Sequence, residues 1–127
     1  MQCPFCKPHV EDLPIVGRNE HCLSIDVADE ILAGSRIIVP RQHRATPFEM
    51  TEAEITATFE LLRAAKLEID SAMSPDGYNI GWNSGAIAGQ EVFHAHLHVV
   101  PRFRDEPLAG MGIRYWLKQE NNRRPNQ

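Results

Sequence analysis

No apolar stretch in the 127 residues runs for more than a few positions, far short of the length that crosses a bilayer, so a membrane helix is excluded. Basic residues are in deficit: 13 Lys and Arg stand against 17 Asp and Glu, a formal net charge of −4. That balance lacks the positive excess needed for general binding to nucleic acid or an anionic membrane surface, so neither is expected as a partner. Any anionic ligand must then be held by local groups. No Ser/Gly/Pro run is long enough for an interdomain linker, and no repeat recurs at a period of roughly 20 to 50 residues; one domain with one core is expected. The opening Met-Gln-Cys-Pro-Phe-Cys-Lys does not have the form of a secretory signal, which makes the cytoplasm the default location. Cysteine is scarce and odd in number, at 3, 6 and 22, which argues against a disulfide scaffold. Two of the three form a C-x-x-C, and in a reducing compartment that spacing points to metal or redox chemistry.

What is present is a mixture of helix and strand signals. Thr51 and Glu54 make a capping box, and Ile55, Phe59, Leu62, Ile69 and Met73 recur at helical spacing, so a helix is expected from about Glu52 to Met73. It would be roughly 33 Å long at the α-helical rise. Ser74-Pro75-Asp76-Gly77 is a turn signal that ends it. Strands are expected at His21–Asp26, at Arg36–Pro40 with its Ile-Ile-Val run, at Tyr78–Asn83 and at Val92 to about Arg102. The fold class is therefore α+β, an antiparallel sheet covered on one face by the long helix. The polar stretch Asn121–Gln127 is expected to be a loosely held tail.

The most informative passage is His94-Ala95-His96-Leu97-His98-Val99-Val100. On a strand, the period of two puts the three histidines on one face and Phe93, Ala95, Leu97 and Val99 on the other, which is the core face. Three of the chain's six histidines within five residues are not explained by packing. A single ion held by all three is excluded by reach, because His94 and His98 would lie about 13 Å apart at Cα. A division of labour remains: one imidazole as nucleophile or base, a neighbour for developing charge, and an outer one with a separate task. Imidazole is largely unprotonated and nucleophilic near neutral pH and forms a phosphoramidate that water can open, which suits phosphoryl chemistry. The central His96 is the candidate nucleophile, and its other ring nitrogen should donate to a backbone carbonyl or another acceptor that fixes the tautomer. The preceding Gly85-Ala86-Ile87-Ala88-Gly89-Gln90 offers glycine-exposed backbone N–H groups, and Asn83 and Gln90 offer side-chain amides, as an anion site in an acidic protein requires.

H-x-H-x-H followed by two apolar residues resembles the signature of the histidine triad (HIT) family of nucleotide hydrolases and transferases. Asn83-Ser84-Gly85, Ala88-Gly89-Gln90, Pro101-Arg102, the Ile-Ile-Val-Pro-Arg-Gln-His segment ending at His43 and the N-terminal C-x-x-C extend the resemblance over about Cys3 to Arg102. It implies a HIT-like antiparallel sheet of about five strands with one long and one short helix over residues 1–120, with 121–127 as tail, and a homodimer. It implies a nucleotide or dinucleotide substrate cleaved at the α-phosphate by His96, with His98 contacting the phosphate and helping the leaving group depart. The related hexose-phosphate uridylyltransferases carry Gln at the third position, so His98 favours hydrolysis. Asn83, Gly89 and Gln90 resemble the family's phosphate contacts, and Asp26 resembles the position that holds ribose hydroxyls. Glu91 departs from the Ser or Thr of many members, and a carboxylate cannot donate to phosphate as a hydroxyl does. The competing function is a nucleotide-binding scaffold or regulatory protein with weak turnover.

Cys3-Pro4-Phe5-Cys6 admits a redox motif, two unrelated thiols, or half of a tetrahedral zinc site. The redox reading lacks the preceding strand such motifs use, because only two residues come before Cys3. The resemblance to bacterial-type HIT proteins implies zinc, with His43 and His94 as the other ligands. The metal would be structural, tying the N-terminus to the catalytic strand, and no catalytic metal is expected. Cys22 reads as a small core residue, and His9 and His21 as surface or loop positions.

Overall fold

The computed structural model describes residues 2–126; Gln127, the end of the expected tail, lies outside them. Its strands are β1 (Ile15–Arg18), β2 (Cys22–Asp26), β3 (Arg36–Pro40), β4 (Gly77–Gly81) and β5 (Leu97–Arg102). Two helices, α1 (Glu52–Met73) and the short α2 (Ile113–Leu117), accompany them. The strands form one antiparallel sheet in the order β1-β2-β3-β5-β4. A five-stranded antiparallel sheet with one long and one short helix is the fold class expected. Strand β1 was not legible as such: its four residues are interrupted by Gly17, whose Cα lies so close to Ser24 that an added Cβ would stand 3.2 Å from that side chain's Cβ. Glu120–Asn122 form a single 3-10 turn, so a short element spans the expected boundary between domain and tail.

Helix α1 occupies the residues expected and begins with the expected box: Thr51 Oγ1 accepts from the Glu54 N–H at 3.1 Å, and Glu54 Oε1 accepts from the Thr51 N–H at 2.9 Å. Its buried face differs from the expected stripe. Ala57, Leu61, Ala65 and Ile69 face the sheet and pack on Cys22, Ile38, Leu97 and Val99, whereas Phe59 and Met73 remain exposed. Two alanines in the contact row let the helix backbone lie close to the strands, and the bulkier side chains are displaced to its flanks. On the opposite face, Leu23, Ile25, Ile37 and Val39 are covered by Val10 with Phe5, Leu13 and Ile15. The N-terminal segment thus completes a second layer of core.

The last strand is shorter than the alternation implied. β5 starts at Leu97, and residues 91–96 are irregular. Pairing with β3 extends only over Arg36↔Val99, Ile37↔His98 and Ile38↔Leu97. Beyond it, the Ala95 N–H turns to the carbonyl of Arg44 at 2.6 Å, and the Pro40 carbonyl is taken by the His94 ring at 2.8 Å. Alternation therefore fails at the start of the run: Phe93, placed on the core face by the strand period, is 51% exposed, and His94 is completely buried. β4 likewise ends at Gly81, leaving Trp82 and Asn83 in the following loop.

Candidate active site and metal centre

Residues 82–96 form the loop that delivers the histidines. Gly85 and Gly89 take φ of +94° and +100°, a left-handed conformation that costs a side-chain-bearing residue energy, and they bracket the turn Ala86–Ala88. Gln90, 3% exposed, braces this loop. Its Oε1 accepts from the Gly85 N–H at 2.8 Å, and its Nε2 donates to the carbonyls of Ala45 at 2.6 Å and Val92 at 3.1 Å. Both amide hydrogens are spent on backbone. In this structure the Gln90 amide sets the shape of the loop. Gly89 lies against Asn83, since a Cβ built on it would be 3.5 Å from Asn83 Nδ2, and Asn83 lines the main cavity beside His98.

Asp26 stands elsewhere. It is paired with Arg36, which is paired with Val99, and directly opposed residues share a face. Val99 is buried against α1, so Asp26 belongs to the helix side of the sheet, whereas His98 is on the other side. Its Oδ1 accepts from the Ala28 N–H at 2.7 Å. Asp26 closes a turn at the end of β2, and the structure does not bring it beside His98.

His96 has the bonding expected of a nucleophilic imidazole. Nδ1 lies 2.9 Å from the carbonyl oxygen of His94. A carbonyl only accepts, so Nδ1 carries the proton and Nε2 retains its lone pair. The His98 ring packs edge-on at 4.9 Å between centroids. Burial, reinforced by neighbouring His96, pushes the His98 pKa below the ordinary imidazole value, so this ring is neutral at neutral pH. Its Nε2 is buried without a partner among the described residues. From His98 and Asn83 a cavity of about 870 Å³ extends past Trp82 and Val100 to Ile113 and Trp116. The cation that lines it, Arg102, is already committed: its guanidinium donates to Glu106 at 2.8 Å, to Asn79, and to the carbonyls of Leu108 and Met111 at 2.9 Å. These bonds hold the 103–112 segment in place as a cavity wall. An anion at this end would meet imidazoles, amides and backbone dipoles.

The metal-ligating set is brought together as a unit. One candidate donor atom each from Cys3, Cys6, His43 and His94 all lie within 4.8 Å of one another. Cys3 Sγ is 3.4 Å and Cys6 Sγ 3.5 Å from His94 Nδ1; Cys6 Sγ is 3.3 Å and His94 Nδ1 is 3.2 Å from His43 Nδ1. Tetrahedral zinc, with its ordinary bond lengths, would place sulfur and nitrogen about 3.6 Å apart and two nitrogens about 3.3 Å apart. The donor set fits. His94 Nε2 donates to the Pro40 carbonyl, which turns the lone pair of Nδ1 into the cluster and supplies the outer hydrogen bond that ligating histidines use. Burial drives His94 toward its neutral form, the form that binds metal, and burial together with Cys3 pushes the Cys6 thiol up to about 11. A bound cation would displace that thiol proton.

Two features of this region escaped the sequence reading. Arg44 grips the buried Glu54 carboxylate through Nε at 3.0 Å and Nη2 at 3.1 Å while its carbonyl holds Ala95. Phe5 packs on two of the histidines. The capping box marked Glu54, but nothing local marks its partner ten residues earlier.

A family model described as the HIT domain matches residues 10–105. The chain belongs to the HIT family. A relative, the adenosine 5′-monophosphoramidase of Schizosaccharomyces pombe, is 31% identical over 114 residues, covering 88% of this chain and 83% of that protein. Among solved structures, a HIT family member from Bacillus subtilis superposes with a TM-score of 0.77 at 27% identity, covering 99% of this chain and 89% of its own. A zinc-bound histidine triad protein from Mycobacterium smegmatis gives a TM-score of 0.68 at 25% identity, covering 79% of this HIT chain and 73% of its own.

Proposed function

We propose that this HIT protein is a nucleotide hydrolase or nucleotidyl transferase that cleaves at the α-phosphate through a nucleotidyl-histidine intermediate. The observation that carries the reading is the His96 ring, whose Nδ1 proton is engaged by the His94 carbonyl and whose Nε2 is left free to attack. Attack on the α-phosphorus forms a P–N bond and breaks the bond to the leaving group. His98, packed on His96 and unprotonated at rest, relays to the departing group a proton that it takes up from substrate or water. Water then opens the P–N bond, releasing a nucleoside monophosphate and returning His96. Asn83 serves as a phosphate contact, with Gly89 lying against it to shape the loop, and the cavity beyond His98 takes the remainder of the substrate. Similarity to a named adenosine monophosphoramidase supports a phosphoramidate or phosphoanhydride of a nucleotide as substrate.

Cys3, Cys6, His43 and His94 would hold one structural zinc, supported by the fit of their spacing and by the zinc-bound relative. Zinc there supplies cohesion between the N-terminal loop and the histidine segment, and the hydrolytic steps are carried by His96 and His98. A homodimer is supported by the free outer edge of β4, where Ile80 is 51% exposed, close to the exposed Trp116. Three free cysteines suit a reducing cytoplasm. Among the described residues no helix is long and apolar enough to cross a membrane.

The test is a turnover screen of adenosine 5′-monophosphoramidate, dinucleoside polyphosphates and adenylyl-lysine, beside intact-mass detection of a nucleotidyl adduct. Turnover of at least one class with an adduct that maps to His96 is expected. Binding of mononucleotide without turnover of any class would move the assignment to a nucleotide-binding scaffold.

A further inference from the structure

Phe5 lies between the two N-terminal cysteines, yet its ring reaches the chemistry. Its centroid is 5.8 Å from that of His94, with the planes at 89°, and 5.3 Å from that of His96, with the planes at 64°. Both are edge-to-face arrangements of the kind aromatic rings favour. His96 is therefore held on three sides: the His94 carbonyl at Nδ1, the His98 ring at 4.9 Å and the Phe5 ring at 5.3 Å. The carbonyl fixes which nitrogen carries the proton, but a single hydrogen bond leaves the imidazole able to tilt about its χ angles. The flanking rings remove that freedom. Phe5 is itself immobilised, because it packs on the Val10, Leu23, Ile25, Ile37 and Val39 cluster and is bracketed by Cys3 and Cys6.

We propose that Phe5 is a positioning residue for His96, through which the C-x-x-C loop sets the direction of the attacking nitrogen. This rests on the reading of His96 as nucleophile. It adds to that reading a coupling between the metal loop and the reaction that does not pass through a metal–substrate contact. An ångström-scale misplacement of a reacting group costs about 10²-fold in rate, and removing the phenyl ring leaves His96 space to move by about that much.

The experiment uses the full-length, zinc-loaded chain and compares wild type with Phe5→Ala and Phe5→Leu. Leu keeps apolar volume for the Val10 cluster but presents no flat ring to His96, so it remains informative if Ala loosens the loop. Four quantities are read: zinc content, AMP affinity, the rate of adduct formation with adenosine 5′-monophosphoramidate, and the ring-nitrogen NMR signals of His96 without ligand at one pH. The expected result is zinc and AMP affinity within about twofold of wild type, adduct formation slowed by about tenfold or more, and His96 ring-nitrogen signals shifted as the tilting ring loosens its hydrogen bond to the His94 carbonyl. A loss confined to AMP affinity, or Phe5→Leu protein with zinc bound, wild-type adduct rate and unchanged His96 signals, would overturn the proposal. If wild type itself forms no adduct with this probe, the functional reading fails. The His96 signals still decide whether Phe5 positions the ring: a shift in Phe5→Leu supports it, and an unchanged spectrum overturns it.

Discussion

Removing the metal should release the N-terminal segment while leaving the sheet and α1 folded. Between Cys3 and Leu13 roughly ten residues are ordered, and the apolar side chains they contribute are Val10, which is buried, and Phe5 and Leu13, which are partly so. At about 1.5–3 kcal/mol for each such side chain, burial contributes at most about 5–9 kcal/mol. Ordering the backbone costs about 1–2 kcal/mol per residue, on the order of 10–20 kcal/mol for the segment. The segment alone is thus several kcal/mol short, a deficit that a structural zinc, at about 10–16 kcal/mol apparent, is large enough to close with a few kcal/mol to spare. Cys6→Ser, or exhaustive chelation, should therefore detach residues 3–13, strip the cover from Leu23, Ile25, Ile37 and Val39, and lower Tm by on the order of 15 °C. Hydrogen exchange checks this directly. The amides of Cys6 and Val10, bonded to the carbonyls of Cys3 and Cys6 at 3.2 and 3.0 Å, should lose protection, whereas those in the middle of α1 should keep theirs. Equal protection at Cys6 and Val10 in zinc-loaded and zinc-free protein would show that packing alone holds the segment and would refute the reasoning. Elemental analysis of protein prepared without chelator should first show about one zinc per chain.

Three further outcomes are expected. His96→Ala should bind mononucleotide with near wild-type affinity and lose nearly all turnover, because the attacking nitrogen is gone and the cavity remains; turnover within about tenfold of wild type would exclude His96 as nucleophile. His98→Ala should still form adduct, but about 10²–10⁴-fold more slowly, and a loss below about fivefold in a rapid-quench measurement would exclude its leaving-group role. Glu54→Gln should cost about 2–3 kcal/mol at neutral pH in urea unfolding, since it weakens a buried carboxylate's grip on Arg44 and on the Thr51 N–H. Burial alone would raise the Glu54 pKa, but Arg44 and Thr51 outweigh it and hold the carboxyl below its ordinary value. Its stabilisation is therefore present above the unfolded-state value and lost as pH falls through the folded one, so the difference from wild type should shrink toward acid pH. A difference that grows on acidification would contradict this.

The features readable from the chain alone are those whose causes are local. The Thr51/Glu54 box and the 3.6-residue pattern define α1 because a helix satisfies its own backbone within a few residues. H-x-H-x-H, C-x-x-C and Ile-Ile-Val-Pro-Arg-Gln-His carry the family, because the chemistry needs those groups at those spacings whatever surrounds them. What the sequence left open depends on contacts between distant segments. The strand period placed Phe93 in the core, yet β5 begins only at Leu97, where β3 supplies partners; before it, Arg44 and Pro40 compete for the backbone and the His94 ring. Asp26 has the residue type to hold a ribose, but its register opposite Arg36 fixes it on the far side of the sheet from His98. Gln90 has the donors to hold phosphate, but Ala45, 45 residues away, and Val92 take them. Composition and spacing determined which groups this protein possesses. Pairing register and burial decided which of those groups remain free to act, because a donor already satisfied by backbone, or turned to the other face, cannot serve a ligand.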